Sequence, residues 1–211
     1  MAARREDRTC SRPYSLGKRQ ESSDRNRNRI LEAACRLLDE ESTAEFSIDS
    51  VGRQAGVTRQ TVHNQFGTRA ALIEAVFDQM ALRGGIAEMA NAMRQTDPVL
   101  MLRKFVGIFV QFWSSQRVAL RRIRALATLD PELDKILRAR NQRRHMAATR
   151  VVDLLSMQFG KPSSADRSSS IDFLFAITSF EFFDTFAGKL GPEVVCEFIT
   201  RVVMRAFEIP Q

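Results

Sequence analysis

Between Ser47 and Arg69 the chain gathers short hydrogen-bonding side chains at spacings that would let a helix meet a polyanion. Arg59, Gln60, Thr61, His63 and Asn64 fall on the outer side of a helical repeat over 59–66, while Val51, Val57, Val62 and Phe66 fall on the inner side. Guanidinium, amide, hydroxyl and imidazole groups are the types that contact phosphates and base edges in a major groove. Gly56 lies between a helix ending at Ala55 and a second one capped by Thr58. There it can adopt the left-handed conformation that a tight turn between helices requires. A helix-turn-helix presents its reading helix in this way. A surface hairpin in any helical bundle would show the same pattern.

Other chemistries find less support. Cys10, Cys35 and Cys196, with His63 and His145, match neither a disulfide framework nor the spacing of a metal cluster. No metal or cofactor is expected, and a reducing cytoplasm is the expected compartment. Neither histidine stands beside an evident nucleophile with a third orienting group, and no glycine-rich phosphate loop follows a strand. The chain reads as a non-enzyme. The alternative is an all-α small-molecule-binding protein or enzyme with a fortuitous helical hairpin, which turnover without DNA preference would favour. A membrane-surface role is weaker, because the amphipathic helices carry core stripes without a strongly basic polar face. The most apolar stretch, 171–187, is broken by Asp172, Glu181 and Asp184 and falls short of the roughly 18 uninterrupted residues that a span needs.

The elements that must position the outward residues are all helical. With 211 residues, 44% hydrophobic and 27% charged, the chain can bury a core and is not wholly disordered. Its 32 Lys/Arg against 25 Asp/Glu leave a formal charge of +7, which favours polyanionic partners. Residues 1–23 read as a flexible basic tail, either a solvated leader or an arm reaching the DNA backbone or minor groove. Ile30, Ala33, Ala34, Leu37 and Leu38 then mark an amphipathic helix. Ser47 caps a short one carrying Ile48, Val51 and Ala55. Farther on, Asp97-Pro98 opens a stripe from Leu102 to Trp113, and Asp130-Pro131 opens a helix running to about Gly160. One Phe-dense helix is expected to about Ala187, then a last one from Pro192. The fold class is all-α: an N-terminal three-helix helix-turn-helix domain over 24–80, followed by a larger helical bundle over 81–211.

The run from Phe46 through Ala55-Gly56-Val57-Thr58 to Phe66-Gly67-Thr68-Arg69-Ala70-Ala71-Leu72 closely resembles the DNA-binding domain of the TetR (tetracycline-repressor-like) family. The resemblance covers about residues 25–80. It implies DNA contacts by Ser47, Thr58, Arg59, Gln60, Thr61, His63, Asn64 and Arg69. His63 stands where the family usually has Tyr, Gln65 where it has His or Tyr, Gly52 where it has Ala, and Arg69 where it has Lys. It further implies a homodimer on a palindromic double-stranded operator and a ligand-binding second domain. The function so implied is a transcriptional regulator, a repressor released by an unknown small-molecule effector.

Two expectations concern that second domain. Arg140 and Arg144 fall on the apolar stripe of their helix, where an unpaired charge is expensive. They could pair with a core acid such as Glu181, snorkel to the edge, or meet an anionic effector in a pocket with Phe109 and Trp113. The Phe-dense helix and the last helix are expected to form the dimer interface through Phe175, Phe182, Phe186, Val195, Ile199 and Val202.

Overall fold

The stripe from Ile30 to Leu38 lies on a helix, α1 (Tyr14–Asp39), that begins well before Ile30. In the computed structural model, which describes residues 14–40, 46–160, 162 and 165–210, residues 14–23 of the expected tail belong to α1, while 1–13 lie outside the described residues. Contacts anchor α1 just ahead of its apolar stripe. Ser23 accepts a hydrogen bond from Gln65 at 2.8 Å, and the Arg27 guanidinium lies 4.5 Å from the centre of the Phe66 ring. A polar segment thereby gains a surface to lie on, which periodicity alone cannot reveal.

α2 (Ile48–Ala55) opens with a capping box. The Ser47 hydroxyl accepts from the Ser50 amide at 3.1 Å, and the Ser50 hydroxyl accepts from the Ser47 amide at 2.9 Å. It closes at Gly56, whose φ of 63° is left-handed. Arg29 of α1 donates to the Ala55 carbonyl at 2.7 Å, holding the same turn from behind. α3 (Arg59–Phe66) and α4 (Arg69–Arg83) start at Thr58 and Thr68, each accepting from an amide three residues on at 3.1 Å.

α4 crosses the expected domain boundary near residue 80. Leu72, Ile73, Val76 and Met80 are buried on it, in one apolar cluster that runs through both halves of the chain. After a 3₁₀ turn (Ile86–Glu88) come α5 (Met89–Ala92), α6 (Pro98–Ser115), α7 (Arg117–Ala127) and α8 (Pro131–Phe159). α6 is the central rod and buries Met101, Leu102, Phe105, Val106, Phe112 and Trp113. It packs against α8 on one side and against α11 (Pro192–Ala206) on another.

The expected single Phe-dense helix is two: α9 (Arg167–Ile177) and α10 (Phe180–Phe186). Ser179 caps the second, and the freed Thr178 carbonyl accepts from the Trp113 indole at 3.1 Å. A partner for a buried indole N–H is thus supplied by breaking the helix. No strand occurs among the described residues, and no described helix is long and apolar enough to cross a membrane.

Gly84, after α4, faces the ring of the fully buried Phe112 so closely that a methyl group there would collide with it. Gly84→Ala should therefore lower stability by about 1–3 kcal/mol through overpacking, read from urea unfolding midpoints. A midpoint at or above the parent's would contradict that fit.

Candidate nucleic-acid interface and core cavity

α3 is held from below and left open above. Val62 is fully buried and Val57 and Phe66 are half-buried, so the helix cannot roll. Arg59, Gln60, His63 and Asn64 are exposed, and Thr61 is half-buried. The outer groups are already ordered by one another. Gln60 donates to Asn64 at 2.7 Å along one turn, and Arg59 reaches Asp49 of α2 at 2.7 Å. Both Arg59 and Asp49 are well exposed, so that pair holds a direction more than it adds stability. The Thr58 and Thr61 hydroxyls lie 2.9 Å apart at the helix start, beside the amides whose dipoles favour an anion. Ser47 sits at the start of α2 in its capping box.

Gln65 and Arg69 each hold a partner from another helix or its cap. The Gln65 amide is engaged with Ser23, so it ties α3 to α1. Arg69 donates to Asp130 at 2.9 Å, linking the first turn of α4 to the cap of α8. The cause is local: Asp130 already faces α4 because its other oxygen accepts from the Glu132 and Leu133 amides. The Arg69 hydrogen bond, with those amides, holds the Asp130 carboxyl below the usual range. Gly52 is buried, and a Cβ there would stand 3.1 Å from the Val57 carbonyl; the loss of a methyl lets α2 lie close to its own turn.

The four residues expected around an effector do converge. Phe109, Trp113, Arg140 and Arg144 all line a cavity with about 800 Å³ of space, part of it open to solvent, between α4, α6, α7 and α8. Phe109 and Trp113 stack with ring centres 5.5 Å apart. Sequence reasoning missed Phe112, a neighbour of Trp113 on α6, and also Phe77 and Arg124, which come from α4 and α7, elements whose packing it could not order. Arg140 bonds Asp78 of α4 at 2.7 Å and lies 4.4 Å from the Phe77 ring centre. Glu181 pairs with Arg124, so it is not the partner of Arg140 or Arg144.

The expected dimer residues divide. Val195 and Ile199 are buried against α6 in the protomer's own core, and Phe175 lies under Arg144. Phe182, Phe186 and Val202 are half-buried, beside Phe198 and the exposed Val194. Periodicity finds the stripes of an apolar helix but does not say which one faces its own bundle.

Residues 30–76 match the model for bacterial regulatory proteins of the tetR family. The amino-terminal segment of the chain is of the tetR type. An HTH-type transcriptional regulator EthR from Mycolicibacterium smegmatis is 29% identical over 96 residues, a match spanning 44% of this chain and only 44% of that protein. Solved structures extend the likeness in fold to the second half. A TetR transcription regulator from Haloarcula marismortui superposes with a TM-score of 0.67 at 18% identity, covering 88% of this chain and 97% of that one. A transcriptional regulator from Saccharomonospora viridis, in complex with choline, gives 0.66 at 15%, covering 85% and 96%. The matched segment runs from within α1 through α2 and α3 into α4, and α4 continues into the helical bundle.

Asp130→Asn keeps a capping oxygen and removes the charge that Arg69 meets. Because the native carboxyl is lowered, its stabilisation is complete above the unfolded value of about 4. It is lost as pH falls through the native value. The stability gap between the parent and Asp130→Asn should shrink as pH drops from 6 towards 3, read by urea titrations at each pH. A gap that stays constant would mean the charge contributes nothing.

Proposed function

We propose that the chain is a sequence-specific DNA-binding transcriptional regulator acting in the cytoplasm as a homodimer, and that it represses until a small molecule enters the cavity. The observation that carries this reading is the exposed row Arg59, Gln60, His63 and Asn64 on a helix pinned by buried Val62. Short polar side chains on a fixed helix are what base-edge readout requires, and Thr58 and Ser47 at helix starts suit phosphates.

A palindromic operator needs two such helices at a set spacing. The half-buried apolar face of Phe182, Phe186, Phe198 and Val202, with Val194 beside it, supports pairing through α10 and α11. Release follows from the place of α4. Phe77 of α4 lines the cavity, and Arg140, another lining residue, is bonded to Asp78 of α4. A ligand that prefers a different setting of this wall shifts α4, and α4 carries α3 with it. The ligand can move that equilibrium only by its differential affinity for the two settings. The Saccharomonospora regulator's complex with choline supports a small-molecule ligand in this fold.

Selection from random duplex DNA with the purified protein should enrich a palindrome with half-sites about one helical turn or more apart. Gln60→Ala and Asn64→Ala should each lower discrimination at one half-site position by about 5–150-fold while leaving binding to unrelated DNA nearly unchanged. Absence of any enriched sequence would overturn the reading. Turnover of a small molecule by the same preparation would then favour an enzyme.

A further inference from the structure

We infer that the cavity takes an organic anion, a carboxylate-class head group held by Arg144 with an apolar body lying on Phe77, Phe109, Phe112 and Met89. This rests on the effector reading above and adds the ligand's charge and its anchor.

Arginines crowd one wall of an otherwise apolar space, and they are not equivalent. Arg140 is neutralised by Asp78, with Glu74 3.8 Å away. Arg124 pairs with Glu181, and Arg143 is exposed to water. Arg144 is different. It is only 6% exposed, and among the described residues no carboxylate pairs with it. Its Nη1 donates to two neutral oxygens, the Phe175 carbonyl at 2.5 Å and the Thr178 hydroxyl at 3.2 Å. Its Nε is buried with no partner.

A buried cation ordinarily carries a counter-charge. Arg144 is tolerated here because the carbonyl end of α9 supplies partial negative charge, and because the Phe175 ring lies 3.7 Å from the guanidinium carbon. That compensation is incomplete. Burial first, and then the nearby Arg124, bring its pKa down to about 9, so at neutral pH the group is still charged and under-paired. A guanidinium of this kind on an apolar cavity wall selects a carboxylate, whose oxygens can take the unfilled donor. The rings and Met89 select an apolar body behind it.

The test is calorimetric titration of the full chain with carboxylates bearing alkyl, phenyl and naphthyl bodies, each matched by the alcohol and the amine of the same body. The best carboxylate should bind about tenfold or more tighter than both of its partners, as expected for a charged hydrogen bond. Arg144→Gln should erase that preference while the alcohol still binds, and Arg144→Lys should keep part of it. Retained alcohol binding shows that the cavity of Arg144→Gln is intact. If alcohol or amine binds as well as the carboxylate, the inference fails and the effector reading stands. If no member of the panel binds, the inference also fails, and release of the selected operator by an unbiased small-molecule set decides the effector reading separately.

Discussion

Arg69 and Asp130 meet at 2.9 Å where the first turn of α4 abuts the cap of α8, and much of the architecture hangs on that junction. Its strength comes less from the charges than from what they align. Asp130 is at once the cap of α8 and the partner of α4, so α8 cannot tilt without disturbing the start of α4. A second tie, Arg140 to Asp78, repeats the arrangement about two turns along both helices. α4 buries Leu72, Ile73, Val76 and Met80 in a cluster shared by both halves, so there is no independent seam at which they could slide. Cores packed this tightly change by switching between arrangements, not by bending smoothly.

The helix-turn-helix segment was the most legible part of the sequence, because the constraints on its turns and caps are local. Ser47, Gly56 and Thr58 act within four residues of themselves, and each sits in the structure where its chemistry placed it. The helices of the second half were also legible as helices. Their ends were not, where a distant group decides them: the break at Thr178 serves an indole 65 positions earlier. For the same reason the sequence does not show what Gln65 and Arg69 hold. Their partners, Ser23 and Asp130, are 42 and 61 positions away, and no local pattern reports such pairs. The cavity residues Phe109, Trp113, Arg140 and Arg144 were found because charge on an apolar stripe is itself an anomaly, while Phe77 and Arg124 looked ordinary.

The break between α9 and α10 shapes the cavity wall. Two different demands meet there: the Trp113 indole takes the Thr178 carbonyl, and Arg144 takes the Thr178 hydroxyl and the Phe175 carbonyl. One unwound turn therefore fixes both a ring of the wall and the cation beside it. A continuous helix would have left the Phe175 and Thr178 carbonyls committed to its own backbone.

α1 has a further bearing on how this molecule would meet DNA. Arg27 lies over Phe66 and Arg29 caps α2, while Arg122 donates to the Leu37 and Glu40 carbonyls at the far end of α1. With Arg69 on Asp130, several of the cations nearest the reading head are occupied in holding it together. Only cations that come to rest on phosphates displace condensed counterions from the duplex. The sensitivity of DNA affinity to ionic strength would consequently be set by the cations that can reach a phosphate, and not by the overall excess of +7.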